Sequence, residues 1–137
     1  GETIRKLGFG TAIPHDAQCS SSCAIAFLGG EYRFLYPSSE LLLHAPFFLP
    51  EGKRIDAEVR ARWAARLGIN CVTEMSDLKN YFATMLPQET ALFLYEQTMG
   101  FCSTNSGWTF NRDAAQLFEM DNFDGYVEPL AEYLPKQ

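Results

Sequence analysis

The chain has 137 residues, which is the length of one domain, and its hydrophobic content of 47% and aromatic content of 14% are enough for a buried core. Charged residues make up 20%, which excludes the composition of a disordered chain. A net charge of -6 without a basic run argues against nucleic-acid binding, and no apolar run reaches the roughly 18 residues of a membrane span.

The first half of the chain predicts short strands and helices in alternation. A helix ends at Gly8, the strand "FGTAIP" stops at Pro14, and "HDAQCS" has the composition of a polar turn. The segment "SSCAIAFLGG" is small and apolar, and it predicts a buried helix that begins at Ser20 or Ser21. The strands "YRFLY" and "LLLHAPFF" follow, the second of which ends near His44. This alternation predicts an α/β layer fold.

The second half is predicted to be mainly helical. Apolar residues recur at helical spacing in "DAEVRARWAARLGI", where Val59, Trp63 and Leu67 form one stripe, and in "VTEMSDLKNYFATML". A third helix, "PQETALFLYEQTMG", starts at Pro87. After the loop "FCSTNSG", the segment "WTFNRDAAQLF" predicts a short strand and a helix, and the aromatic, acidic tail "NFDGYVEPLAEYLPKQ" is expected to pack on the surface.

The chain contains four cysteines, at positions Cys19, Cys23, Cys71 and Cys102. An even number permits two disulfides, with three possible connectivities. Metal ligation is the less favoured reading, because only one cysteine pair has a zinc-like spacing and the chain has only two histidines. We therefore expect no metal and no other cofactor; four reduced, buried cysteines in a cytosolic protein remain the alternative to disulfides.

The block "QCSSSC" places serines at the start of the predicted buried helix. A serine hydroxyl becomes a nucleophile when an adjacent base takes its proton, and backbone N–H groups at a helix N-terminus suit a developing oxyanion. The candidate base is His44, at the end of a predicted strand, because His15 lies in the polar turn. The alternatives are a serine that only caps the helix and a histidine that is a hydrogen-bonded core residue.

The first 46 residues resemble the Clp/crotonase superfamily, in particular the proteolytic subunit of the Clp protease and the Clp-like proteins of the bacterial periplasm. The shared features are a serine starting a buried helix, a glycine ending it, an arginine before a proline-containing turn, and a strand ending in His-x-Pro. The periplasmic proteins also carry a Cys-x-Ser-x-Cys-Ala block. The features fall on Ser21, Gly30, Arg33, Pro37, His44 and Pro46. The resemblance is weak over 105–120 and absent from the helical middle.

The resemblance implies a serine hydrolase or peptidase that acts on a peptide or another acyl substrate through an acyl-enzyme. It implies Ser21 as the nucleophile, His44 as the base and the backbone N–H of Ser22 as an oxyanion donor. The third triad position falls at Ser106, with Asn105 beside it, and neither carries the charge of the usual Asp. The alternative is a catalytically inactive Clp-like protein that binds a peptide or a protein partner. A third class, coenzyme A thioester chemistry, is disfavoured by the lack of a basic patch.

The resemblance further implies a Clp/crotonase-like layered fold with a helical arm at about 53–100, through which superfamily members self-associate. The first strands and a glycine-rich turn that donates oxyanion N–H groups would precede Gly1, so we expect a C-terminal portion of such a domain. In this fold the cysteines are expected to pair as Cys19–Cys23, around the nucleophile, and as Cys71–Cys102. Two disulfides imply a periplasmic or secreted protein. A free Cys23 would be a further candidate nucleophile.

Overall fold

In the structure, a computed structural model, residues 1–48, 70–103 and 106–124 are described, and they form a mixed α/β structure. The first elements are α1 Glu2–Lys6, β1 Thr11–Ile13, β2 Gln18–Ser20, α2 Ser22–Leu28, β3 Arg33–Leu35, β4 Glu40–Leu43 and β5 Phe47–Phe48. The following elements are β6 Asn70–Cys71, α3 Ser76–Met85, α4 Gln88–Gly100, β7 Trp108–Phe110 and α5 Arg112–Leu117. The predicted α/β class is confirmed at this level.

Two pairs of parallel strands organise the N-terminal part. β1 pairs with β3, with Thr11 opposite Arg33, and β2 pairs with β4, with Gln18 opposite Glu40, so both pairs have the same offset along the chain. β7 adds to β4 in the antiparallel direction, which gives the order β2–β4–β7. β4 is therefore the middle strand of this sheet, and its C-terminal end lies beside the C-terminal end of β2.

Helix α2 presents its apolar side to the core. Ala24, Phe27 and Leu28 are buried at spacings of three and four residues, as the amphipathic pattern predicts. They belong to one core cluster with Leu41 of β4 and Phe82 of α3. The buried helix predicted from "SSCAIAFLGG" is therefore confirmed, and it joins the strands to the helical arm.

Two side chains from neighbouring helices hold α2 in place. Arg5 of α1 donates hydrogen bonds of 3.0–3.3 Å to the carbonyls of residues 28–30 and to that of Met85. The last carbonyls of a helix have no partner within it, so a cation at this end is favourable. The hydroxyl of Tyr81 on α3 donates to the carbonyl of Ile25. Burial raises the pKa of Tyr81 to about 12.

Arg33, one of the residues that carry the resemblance to the Clp/crotonase superfamily, is buried and hydrogen-bonded. Arg33 is 3% exposed, and its guanidinium donates to the carbonyls of Gly30, Glu119 and Met120 at 2.7–2.9 Å. Burial, and then the nearby Arg5, lower its pKa to about 10, so it stays charged at neutral pH. A buried charge needs such hydrogen bonds, and here they fasten the segment after α5 to β3.

Two predicted elements differ from the structure. The segment "HDAQCS" is not only a turn, since its last residues form β2, in which Cys19 is buried and pairs with Leu41. Three residues are too few to show alternation, and the partner strand decides the outcome. The helix predicted from "VTEMSDLKNYFATML" begins only at Ser76, as α3, and Cys71, just before that segment, lies in β6 opposite Phe47.

Other predictions fall outside the described residues. These are the stripe of Val59, Trp63 and Leu67 and most of the C-terminal tail. The described part of the arm contains β6 and the helices α3 and α4, which pack against each other. No helix in the described parts of the chain is long and apolar enough to cross a membrane.

Candidate active site around Ser21 and His44

Ser21 lies in the turn between β2 and α2 with an unusual backbone conformation, φ 56° and ψ -120°. A positive φ is rare for a residue other than glycine and costs on the order of 1–3 kcal/mol. The neighbouring structure holds it, because the N–H of Ser21 donates to the carbonyl of Leu42 at 2.9 Å and its carbonyl accepts from Ile25 at 3.1 Å. A strained turn from strand to helix also exposes the nucleophile of some serine hydrolases.

The hydroxyl of Ser21 does not cap the helix. Ser21 is the N-cap residue of α2, yet its side chain makes no capping hydrogen bond. At the start of α5, by contrast, the side chain of Asn111 accepts from the N–H of Ala114 at 2.9 Å. The neighbouring Ser20 donates to the side chain of Gln18 at 3.2 Å. The capping interpretation therefore does not describe Ser21.

A cavity of about 340 Å³ opens beside this turn. Its described lining residues are Gly1, Ser21, Ser22, Ile25, Ala26, Leu43, His44, Pro46, Met75 and Leu78. Apart from two serines and one histidine, these side chains are apolar or absent, and none is Asp, Glu, Lys or Arg. A mostly apolar pocket with a few polar groups at one point is the usual form of a small-molecule site.

The pairing of β2 with β4 brings Ser21 and His44 to the same cavity. Ser20 lies opposite Leu42, so Ser21 follows the end of one strand and His44 follows the end of its parallel neighbour. The carboxyl ends of parallel strands meet at one edge of a sheet, where open α/β folds bind their ligands. Two residues far apart in the sequence thus line one pocket.

The ring of His44 is oriented by the backbone next to it. Its Nδ1 lies 2.9 Å from the carbonyl oxygen of Ala45. A carbonyl oxygen only accepts, so this hydrogen bond requires the proton on Nδ1. The neutral ring then has its acceptor lone pair on Nε2, which is the nitrogen that a general base would use. The sequence did not predict this role for Ala45, because a backbone carbonyl has no sequence signature.

The segment that follows His44 is held from both sides. The N–H of Ala45 donates to the carbonyl of Phe101, and the N–H of Val72 donates to the carbonyl of Pro46, both at 2.8 Å. The disulfide Cys71–Cys102, with its Cα atoms 5.7 Å apart, joins the two chain segments that make these bonds. This disulfide therefore supports the histidine side of the site.

The second disulfide lies on the serine side. Cys19 and Cys23 are bonded across Ser21, with their Cα atoms 5.2 Å apart. Both bonds join the pairs that we expected, and the chain has no free cysteine in the structure. Cys23 is therefore not a thiol nucleophile, and the reduced-cysteine alternative does not describe the structure.

Ser106, expected at the third triad position, lies in an exposed loop and is not among the described residues that line the cavity. Its Oγ is 3.0 Å from the Oγ of Ser103, which also accepts from the N–H of Ser106 at 3.1 Å. The next residue, Gly107, passes so close to β4 that a side chain there would overlap the carbonyl of Leu43. Asn105 lies outside the described residues. The role of Ser106 stays a prediction.

The other histidine belongs to a surface turn. The Nδ1 of His15 is 3.0 Å from the Oγ of Ser38, which also accepts from the N–H of Asp16 at 3.0 Å. The ring of His15 packs against Tyr36. The hydrogen-bonded pair of His15 and Ser38 is exposed and supports the turn between β1 and β2.

Sequence reasoning missed the apolar walls of the cavity. Ile25 follows Ser21 by four residues and Ala26 follows Ser22 by four residues, so helical spacing could have placed them on the side of α2 that the two serines occupy. Met75 and Leu78 come from the helical arm, and no local signal connects them to the serine. Long-range packing alone brings them to the site.

No protein-family model matches this chain, and no curated protein matches it. The site is characterised by its geometry: a serine with a strained backbone and a histidine oriented by a backbone carbonyl line one mostly apolar cavity. The described residues contain no group of three or more His, Cys, Asp or Glu side chains that could hold a metal ion.

Proposed function

We propose that this protein is a serine hydrolase of the Clp/crotonase type that transfers an acyl group to water through an acyl-enzyme. The observation that carries the proposal is the strained backbone of Ser21, whose side chain caps no helix and which lines the same cavity as His44. Strained backbone of this kind persists only where the surrounding structure over-determines it, and it concentrates at functional sites.

In the proposed reaction, the Oγ of Ser21 attacks the acyl carbon while Nε2 of His44 takes its proton. The hydrogen bond from Nδ1 to Ala45 keeps the ring in place. The imidazolium then protonates the leaving group, and an ester remains between the acyl group and Ser21. A water molecule, deprotonated by His44, attacks this ester and releases the acid, which restores both side chains.

The oxyanion needs a donor beside Ser21. The first N–H groups of a helix have no carbonyl partner within it. The N–H of Ser21 is already bonded to Leu42, so the N–H of Ser22, the first residue of α2, is the candidate. One such donor is worth about 10²–10³ in kcat.

The group that orients His44 is the carbonyl of Ala45, where the usual triad has an Asp. A neutral carbonyl at Ala45 selects the tautomer of His44, but it does not carry the full charge with which an Asp stabilises the imidazolium. We therefore expect slower turnover than in a triad with a carboxylate.

The cavity favours an uncharged, apolar acyl group, as part of a peptide or of another acyl compound. A coenzyme A thioester fits less well, because the described lining has no Lys or Arg to meet its phosphates. The two disulfides support an oxidising compartment, and we propose the periplasm or the extracellular space. Self-association through the helical arm belongs to the same proposal.

Labelling with an alkyl fluorophosphonate tests this function. The reagent should modify Ser21 of the folded, oxidised protein, as mass spectrometry of the labelled peptide would show. Ser21→Ala should abolish the labelling, and the matched control Ser20→Ala should retain it, because Ser20 bonds Gln18 rather than lining the cavity. A folded protein that is not modified at Ser21 would contradict the hydrolase and leave the alternative, a module that binds a peptide or a protein partner.

A further inference from the structure

The Cys19–Cys23 bond closes a short loop that has Ser21 at its centre, and its two ends lie in different environments. Cys19 is 2% exposed and is held in β2 opposite Leu41. Cys23 lies in the first turn of α2 and is exposed to solvent. The sheet therefore fixes one end of the bond, while a reductant in solution can reach the other.

The turn at Ser21 needs a restraint of this kind. The far end of α2 is anchored by Arg5, but its first turn has neither a side-chain cap nor an acidic residue. Among the described residues, the N–H of Ser21 also donates to the carbonyl of Leu42, and the hydroxyl of Tyr81 donates to the carbonyl of Ile25. The disulfide is thus a covalent cross-link that spans the turn, in addition to the backbone that joins β2 to α2.

We propose that the Cys19–Cys23 disulfide is a positioning group for the Ser21 hydroxyl, and that its reduction by a dithiol switches the site off while the fold persists. The inference rests on the proposed role of Ser21 as the nucleophile. Without the link, Ser21 relaxes from its positive φ to an ordinary conformation, and its hydroxyl shifts within the cavity that it shares with His44.

The chemistry is thiol–disulfide exchange. A thiolate of the dithiol attacks the sulfur of Cys23, the exposed residue of the pair, and releases Cys19 as a thiolate, which takes a proton. The second thiol of the reductant then attacks the mixed disulfide and releases Cys23. The dithiol is oxidised to a disulfide, and the two cysteines gain one hydrogen each. A disulfide oxidant reverses the change: it is reduced to two thiols as Cys19 and Cys23 form their bond again.

The fold is expected to survive because Cys19 is one of many buried side chains in the core cluster, and a reduced cysteine is also a small apolar side chain that can stay buried there. The buried side chains of α2, Ala24, Phe27 and Leu28, contact the core on the side of the helix that packs on the strands. Relaxation of Ser21 also removes an unfavourable backbone conformation. Reduction therefore changes the geometry of the site more than the stability of the domain.

Two double variants separate this disulfide from the other one. Cys71→Ser/Cys102→Ser keeps only the bond around Ser21, and Cys19→Ser/Cys23→Ser keeps only the bond near His44. Each variant and the wild type are titrated with an alkyl fluorophosphonate, with and without dithiothreitol. The measured quantities are the maximal labelling rate, the half-saturating concentration and the circular dichroism spectrum, which reports the folded fraction.

Dithiothreitol should lower the maximal rate of Cys71→Ser/Cys102→Ser at least about tenfold, since a displacement of about 1 Å can cost about 10²-fold. The half-saturating concentration and the spectrum should not change, and reoxidation should restore the rate. Independently, oxidised Cys19→Ser/Cys23→Ser should label at least about tenfold more slowly than oxidised wild type. This second comparison holds even if the first variant does not fold.

The inference is overturned if the maximal rate is unchanged although mass spectrometry shows both cysteines as thiols. It is also overturned if the rate falls only in proportion to the folded fraction, because a merely structural bond would behave in this way. Failure of the oxidised wild type to label at Ser21 overturns the proposed nucleophile, and the inference with it, so the two failures are distinguishable.

Discussion

The N–H of Ser21 donates a 2.9 Å hydrogen bond to the carbonyl of Leu42, two residues before His44. This bond ties the strained turn to the strand that carries the histidine. A shift of the turn between β2 and α2 relative to β4 would therefore change the geometry between the two side chains. Because this bond couples the turn of Ser21 to the strand before His44, we expect substitutions of the two residues to fail as one unit.

We expect Ser21→Ala and His44→Ala each to lose nearly all hydrolysis of an uncharged ester, and the double variant to lose little more. Residues that act on the same step are strongly non-additive. The measurement is kcat/KM for a p-nitrophenyl ester, with circular dichroism to confirm folding. Ser20→Ala is the matched control and should keep most of the activity. Losses that simply multiply in the double variant would show that the two residues act separately.

The size of the cavity predicts a dependence on acyl-chain length. Ala26 lines the cavity from α2, so Ala26→Leu should raise KM for a p-nitrophenyl ester of a longer fatty acid more than KM for the acetate. The added side chain occupies space that the longer chain would fill. The control is Ala83→Leu on the exposed side of α3. Equal changes for both esters would argue that the acyl group binds elsewhere.

The two disulfides should differ in their contribution to stability. Their sequence separations are 4 and 31. Loop-closure entropy predicts that removing Cys19–Cys23 costs about 2 kcal/mol and removing Cys71–Cys102 about 4 kcal/mol, on a model in which the bond acts on the unfolded chain. Relaxation of Ser21 should reduce the first value further. Urea unfolding of the two Cys→Ala double variants measures both, and a reversed order would refute this account.

The partly buried hydroxyl of Tyr81 predicts a loss of stability in alkali. Burial raises its pKa from 10.0 to about 12, so the folded protein holds this proton more tightly than the unfolded chain does. The resulting stabilisation is complete below pH 10.0 and is lost as the pH rises to about 12.

Tyr81→Phe should remove this part of the pH dependence, because phenylalanine has no proton to lose. The measurement is the urea midpoint of wild type and variant across this range of pH. Tyr32→Phe serves as the control, since Tyr32 is 55% exposed, and it should follow the wild type. Parallel curves for wild type and Tyr81→Phe would assign the alkaline loss to other groups.

Much of the local structure could be predicted because it depends on neighbouring residues. Gly8 takes the positive φ of 70° that its place after a helix predicts. The spacing of Ala24, Phe27 and Leu28 marks the buried side of α2, and "WTFNRDAAQLF" forms the expected strand and helix. The serine and histidine candidates also came from the sequence, through the resemblance of the first 46 residues.

Other features depend on contacts between distant parts of the chain. β2 has only three residues, and their composition is that of a turn. The segment becomes a strand because β4 pairs with it. Ser21 and its neighbours Ser20 and Ser22 have the same side chain, and a positive φ at Ser21 persists because the surrounding structure holds it. Leu78 lines the cavity only because distant segments pack together. The hydrogen bond between His44 and the carbonyl of Ala45 depends on backbone geometry. No local pattern of side chains encodes either feature.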